Sequence, residues 1–199
     1  MAPTAPLVAL LLLIGAAIAH AGPPALSASA EQKLRKGEVI IKELTPTGGE
    51  GVAARVTGLV DAPPGKVWPV ITDCAAYQRF MPRTEKSAIR GTTPGGGQKC
   101  FVELDMPFPF DNLWSVVDAM HETGVDGSYV RRWTLLEGTY KRNSGSWSLY
   151  PFDGGEKTLL VYQLDANPDI SLPDWLIASA QSSTLPDLFA AVRKRVRVP

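Results

Sequence analysis

Residues 172–196, reading LPDWLIASAQSSTLPDLFAAVRKRV, constrain the fold more than any other stretch. Apolar residues recur at helical spacing: Trp175, Ile177 and Ala178 first, then Leu185, Leu188, Phe189 and Val192. Intervals of three and four put most of them on one face. Leu172, Pro173 and Asp174 read as a start, with a proline suited to a first turn and an acidic side chain at the positive end of the dipole. Arg193, Lys194, Arg195 and Arg197 supply cations at the other end. Pro186 divides the stretch. With Thr184 as a cap, Pro186 falls in the first turn of a fresh helix, where a missing amide costs little. A kink or break is therefore expected near residues 183–185. The second half, with Leu188, Phe189 and Val192, is the part a sheet would grip. The first half, with Trp175 and Ile177, is then a wall or lid. What precedes this segment reads mostly as strands, and strands with an apolar face need something to pack on.

The other end of the chain reads differently. Residues 7–18 are an apolar run too short to span a bilayer, followed by Ala19-His20-Ala21. That A-x-A pattern reads residues 1–21 as a secretory signal peptide, cleaved before Gly22. The region before the run carries no Lys or Arg, which leaves a retained N-terminal anchor as the alternative. About 178 residues remain, enough for one core and one domain over residues 38–199, preceded by a lead and short helix over 22–37. Acidic and basic residues balance at 20 each, which gives no reason to expect a nucleic-acid partner. Cys74 and Cys100 are the two cysteines. In an exported protein they pair, closing a loop worth about 3 to 4 kcal/mol, or they are two buried apolar thiols.

Ser29 and Gln32 resemble a capping box opening a helix over residues 30–36, closed by Gly37 at C′. Strands are expected at 38–44 and 52–60, and Gly58 marks a close approach to the backbone. Asp61-Ala62-Pro63-Pro64 ends the second strand and starts a helix, in which Pro69 is tolerable only if the start lies near Pro64. A second short helix covers residues 75–80. Six further strands follow at 85–90, 98–106, 113–121, 129–136, 139–150 and 158–165, separated by turn residues. Residues 98–106 alternate most clearly, with Cys100, Val102, Leu104 and Met106 on one side. Strands at such short spacing pair as an antiparallel meander. The expected fold is α+β: a curved antiparallel sheet wrapped around the long C-terminal helix, with two short helices after the second strand. The helix fills the concave face only in part, and the remainder is a pocket.

Residues 59–82, LVDAPPGKVWPVITDCAAYQRFMP, resemble the START-like, helix-grip proteins of the SRPBCC superfamily, and more narrowly its polyketide cyclase and coenzyme Q-binding START-domain group. Val60, Ala62, Pro63, Val67, Trp68, Asp73, Tyr77, Phe80 and Pro82 carry the likeness. Gly145-Ser146-Trp147, Tyr162 and residues 172–176 look like exported bacterial members. The resemblance covers roughly residues 38–196 and implies a cavity for a lipid, sterol, quinone or polyketide. Cys74 departs from the family pattern, which carries a polar or aromatic residue there.

Such a cavity would draw on Val56 and Gly58 of the second strand and on Trp68, Tyr77, Phe80 and Met81 of the short helices. Val102, Leu104 and Met106 come from the next apolar face, then Trp114 and Val116, then Arg131 and Trp133. Trp147, Tyr162, Trp175 and Ile177 complete it. Ordinary core packing is the plain alternative for each tryptophan. Arg131 and Arg132 are adjacent in a strand, so at most one faces inward, and the plain alternative leaves both in solvent. Asp118, in the run Trp114, Val116, Asp118 and Met120, would need a partner on an apolar face, with Arg131 the candidate. Asp73 reads first as a brace between the two short helices. His121 sits beside a turn and reads as exposed. No His/Cys cluster, P-loop, G-x-S-x-G or G-x-G-x-x-G is present, so no metal, cofactor or catalytic residue is assigned.

The leading reading is an exported, non-catalytic binder or carrier of a hydrophobic small molecule or lipid, periplasmic or secreted. Access would lie between residues 81–84, 107–110 and the start of the last helix. A cyclase- or aromatase-type enzyme using Asp118, Arg131, Tyr162 and Asp73 is the second reading. An envelope interaction module with a filled core and no ligand is the third. The basic C-terminus fits an anionic membrane surface and helix-dipole completion equally, and no oligomeric state follows from the sequence.

Overall fold

In the computed structural model, which describes residues 22–171 and 173–198, the turn-rich breaks of the sequence separate eight strands. They are β1 (Ile40–Leu44), β2 (Val52–Val60), β3 (Thr84–Thr92), β4 (Gln98–Leu104), β5 (Leu113–Thr123), β6 (Tyr129–Gly138), β7 (Tyr140–Phe152) and β8 (Lys157–Pro168). They form one sheet in the order β1-β2-β8-β7-β6-β5-β4-β3. Every neighbouring pair is antiparallel. The chain leaves β2, crosses to the far edge at β3, and meanders back until β8 closes against β2. The signal-peptide reading of residues 1–21, and Leu172 at the expected helix start, lie outside the described residues.

Helix α1 (Ala28–Arg35) is capped by Ser27, whose Oγ accepts the Ala30 amide at 3.2 Å. This corrects the capping box expected at Ser29, two residues later; the Ser29 hydroxyl instead meets that of Ser27. Gly37 closes the helix at φ 86°, with its amide on Leu34 O and the Glu38 amide on Lys33 O. These two bonds satisfy carbonyls the helix would leave unpaired. Leu34, 1% exposed, seats α1 on the convex face against Leu59, Tyr150, Leu159 and Val161, with Leu26 packed alongside.

Helix α2 (Pro64–Thr72) starts at Pro64 as expected, yet Pro69 is its sixth residue. That lies beyond the first turn, so one backbone bond of the helix is lost. A 3-10 turn over Cys74–Arg79 follows. Asp73 stands at the junction, 4.0 Å from Arg79 and exposed, in the bracing position its sequence context suggested. Cys74 and Cys100 form a disulfide with Cα atoms 6.0 Å apart, joining the 3-10 turn to β4.

Across the concave face the C-terminal segment runs as α3 (Asp174–Ser179), a π-helical turn (Ala180–Thr184) and α4 (Leu185–Val196). The division falls where Pro186 predicted it, but Thr184 does not cap. Its own dihedrals are helical and its side chain makes no cap bond. The wider π turn, rather than a fresh start, absorbs the missing proline amide. In α4, Phe189 and Val192 are fully buried. A Cβ on Gly58 would stand 2.5 Å from Phe189 Cδ1, so the absence of a side chain at Gly58 lets the helix touch the β2 backbone. Arg193 fastens the same end, donating from Nε to Leu59 O and from Nη1 to Gly37 O, each at 2.8 Å.

Candidate ligand cavity

Strand register decides which side chains share the concave face. Arg131 on β6 pairs with Trp147 on β7, which pairs with Tyr162 on β8. Direct partners point the same way, so these three stand in a row. Two residues further along, Trp133 pairs with Gly145 and Gly145 with Leu164. A Cβ on Gly145 would lie 2.4 Å from the Trp133 ring, so that glycine lets the indole lie across β7. The rings form a continuous wall: Trp133 to Tyr162 at 5.8 Å, Tyr162 to Trp147 at 4.5 Å, and Trp147 to Phe189 at 6.1 Å.

Between this wall, α4 and the 3-10 turn lies a cavity of about 290 Å³. Of the side chains expected there, it brings together Tyr77, Met81, Val102, Leu104, Arg131, Trp133, Trp147 and Tyr162. Tyr77 is held by a hydrogen bond from its hydroxyl to Ile71 O. Cys100 also faces the space, so the disulfide is part of the wall. Helix α4 contributes Leu185 and Leu188, and the π turn Thr184. Met81, Pro82 and Thr84 carry the cavity toward the access loops expected near residues 81–84. Residues 107–110 do not line it, although Phe108 is almost fully exposed.

The remaining expected residues lie elsewhere. Val56 is packed in the core, and Gly58 lies beneath Phe189 at the gripped end. Trp68 stacks on Tyr129 at 5.1 Å and meets His121 edge-on. Phe80 stands edge-on to Tyr77, behind the wall. Met106 follows the end of β4, its amide bonded to Asn112. Trp114 and Val116 face the convex side. Val102 pairs with Ser115 and Cys100 with Val117, so the concave face of β5 belongs to Ser115, Val117 and Ala119. Placing Cys100, Val102 and Leu104 inside excludes Trp114 and Val116, and the smaller residues leave the space open. Asp118 shares the outer face. It accepts from Thr93 Oγ1 at 3.2 Å and does not meet Arg131. Trp175 is 57% exposed, and Ile177 faces a separate surface hollow with Glu50 and Lys141. Trp175 and Ile177 of the first half are thus no wall of the cavity; the second half both anchors and lines.

Arg131 is the charged residue of the lining among the described residues. It is 3% exposed, the inward one of the adjacent pair, while Arg132 is exposed and paired with Glu122 at 3.3 Å. Arg131 Nε and Nη2 are buried with no hydrogen-bond partner among the described residues. The guanidinium sits 5.9 Å from the ring centroids of Tyr77 and Trp133. Three phenols face the same space. Burial pushes Tyr77 and Tyr162 upward and Tyr140 up to about 12, so all three stay protonated donors at neutral pH. His121 pairs with Arg131 and so shares its face, yet it stays exposed, as its turn position implied; partial burial followed by the charge of Arg131 lowers its pKa.

Ser115, Asn143 and Tyr140 were not among the expected residues. Asn143 was accessible by parity, four positions before Trp147 on one strand. Tyr140 was not, because a register shift between Tyr140 and Arg142 brings it to the concave face. Among the described residues no cluster of His, Cys, Asp and Glu has the makings of a metal site, and no helix is long and apolar enough to cross a membrane.

Residues 60–193 match the family described as polyketide cyclase / dehydrase and lipid transport. No curated protein matches the sequence. Among solved structures, the STAR-related lipid transfer protein of Xanthomonas axonopodis is 22% identical with a TM-score of 0.68, over 80% of this chain and 93% of that one. Human StAR-related lipid transfer protein 5 is 16% identical with a TM-score of 0.67, over 81% and 82%. The Zhui aromatase/cyclase of Streptomyces sp. R1128 is 22% identical with a TM-score of 0.54, over 80% and 98%. At these identities the likeness is one of fold: the helix-grip architecture that the order of elements predicted.

Proposed function

Because the chain belongs to the polyketide cyclase / dehydrase and lipid transport family, a START-like group of the SRPBCC superfamily, we propose that it binds a hydrophobic small molecule bearing an acidic or strongly accepting head group. The observation that carries this reading is Arg131. A guanidinium is always charged and cannot accept a hydrogen bond. Buried without a partner it is costly, and a ligand carboxylate or enolate facing Nε and Nη2 would remove that cost with charge-assisted bonds. The apolar body of the ligand would lie against Leu104, Leu164, Leu185 and Leu188, each Å² of apolar surface buried contributing about 25 cal/mol. A volume near 290 Å³ stands at the lower end for small-molecule sites and favours a slender ligand.

Binding or carriage fits better than turnover. Among the described residues the lining holds no carboxylate and no histidine. Asp118 and Asp73, the acids an enzyme would have used, lie outside it. With Tyr140 and Tyr162 held protonated and the Tyr77 proton given to Ile71 O, the described lining offers donors and no general base at neutral pH. The filled core of an interaction module is at odds with a cavity of this size. Export to an oxidising compartment is the second part of the proposal, supported by the Cys74–Cys100 disulfide together with the A-x-A pattern ending at Ala21.

Titration calorimetry of delipidated protein with decanoate and with decanol tests the ligand class. Decanoate should bind at least about tenfold tighter than decanol, and Arg131→Met should remove the difference. Equal binding of the two, or none of either, defeats the reading. N-terminal sequencing of the protein recovered from its cells tests export, with Gly22 as the expected first residue.

A further inference from the structure

Four residues along β7 from the row that holds Arg131, the cavity has a second polar group. Trp133 Nε1 donates to Asn143 Oδ1 at 3.0 Å, and Asn143 Nδ2 donates to Ser115 Oγ at 3.1 Å. The direction of this relay is forced. An indole N–H can only donate, so the amide oxygen of Asn143 faces it and the amide nitrogen faces Ser115. Ser115 Oγ must accept, and its own proton is left to donate. No other hydrogen bond of that oxygen is formed among the described residues, and Ser115, 5% exposed, lines the cavity. Tyr140, turned onto this face by the register shift beside it, adds a phenol to the same lining. Strands β5 and β7 are not neighbours in the sheet, so the relay spans the width of β6 from the concave side.

We infer that the cavity is bipolar: a cationic donor pole at Arg131 and a neutral donor pole at Ser115 and Asn143. Trp147 marks the first row and Asn143 the second, so at about 3.3 Å per residue the rows lie roughly 13 Å apart. Between them the surface is Val117, Leu164 and the faces of Trp133 and Trp147. A volume of about 290 Å³ drawn out over that length is a slot for one slender molecule. The ligand class that fits is an apolar chain or narrow fused-ring body with an acidic group at one end and a hydrogen-bond acceptor, such as a hydroxyl, ether or ketone, at the other. A simple fatty acid leaves the second pole unsatisfied.

This inference rests on the binding reading above, and the test separates the two. Titration calorimetry compares decanoate, ω-hydroxydecanoate and ω-methoxydecanoate. A plain apolar slot prefers decanoate, because a terminal oxygen must be stripped of water. A donor pole reverses the order, and the methoxy compound, which can only accept, gains as much as the hydroxy compound. The expected gain of either over decanoate is about tenfold, the size of one well-made hydrogen bond. In Ser115→Ala the gain should fall to nothing. Decanoate binding tightest of the three overturns the bipolar assignment and leaves the function standing. A gain that survives in Ser115→Ala overturns the role of Ser115. No binding by any of the three removes both. A relay that is only structural would lower the melting temperature of Ser115→Ala without changing the order of the three ligands.

Discussion

Two arginines mark the two ends of the concave face. Arg193 on α4 is half-buried, and two of its nitrogens are bonded to backbone carbonyls at 2.8 Å, joining α4 to β2 and to the loop after α1, while its third, Nη2, is buried with no partner among the described residues. Arg131 on β6 is deeper, and its Nε and Nη2 have no hydrogen-bond partner among the described residues. Around Arg193 the helix touches the sheet through Phe189 on Gly58. Around Arg131 the helix side is represented, among the described residues, by Leu185, Leu188 and Thr184 of the π turn. The same residue type thus does opposite work. One completes the packing of a closed end, and the other is left available at an open one. The difference lies in what the register places opposite each side chain, because both are ordinary arginines in amphipathic surroundings.

The closed end should dominate stability. Phe189→Ala removes a fully buried ring against Gly58 and should cost about 3 to 5 kcal/mol in urea unfolding. A loss near 1 kcal/mol would mean that this end is not where the sheet is held. The open end depends on its covalent tie. Replacing Cys74 and Cys100 together by serine releases a link between residues 26 apart and should cost about 3 kcal/mol, read by the same unfolding curves. Exchanging each arginine for methionine tests the comparison most directly. Arg193→Met should destabilise by about 1 to 2 kcal/mol, because a part-buried carbonyl and an exposed one lose their donors. Arg131→Met should leave the melting temperature unchanged or raise it, since an unpartnered buried charge gives way to an apolar side chain. If both variants fall alike, the contrast fails.

The smallest effect is a pH dependence. Partial burial, then the charge of Arg131, holds His121 below its ordinary value near 6.5. The unfolded chain then takes up the proton first. The contribution of His121 to stability is intact above pH 6.5 and declines as pH drops from there through the lowered folded value. Removing the Arg131 charge should move the His121 NMR titration upward and flatten that decline. An unmoved titration would place the guanidinium further from His121 than the cross-strand pairing implies.

Much of this architecture was legible locally. Turn residues delimited all eight strands, Gly37 its helix end, Gly58 a close approach, and Pro186 the division of the C-terminal segment. These are decisions of backbone sterics made within a few residues. The chemistry of residues 98–104 was legible too, because alternation sorts side chains into two sets. What alternation does not state is which set faces inward on the next strand. For β5 the bulkier set, Trp114 and Val116, looked like cavity wall, whereas the register against β4 assigns that face to Ser115 and Val117. A slip of one residue exchanges the faces, and pairing partners distant in sequence fix the slip.

By itself, then, the sequence determined the order and kind of elements, the family, and the apolar face of the last helix, all carried by short-range patterns. Tertiary structure alone decided that Arg131 is buried while Arg132 is not, that Asp118 stands outside, and that Asn143 and Ser115 meet across β6. Each of those depends on curvature and register accumulated over the whole sheet. In such a sheet the position of a side chain is set by strands far away in the chain, and the space left beneath the helix is settled only when the last strand closes against the second.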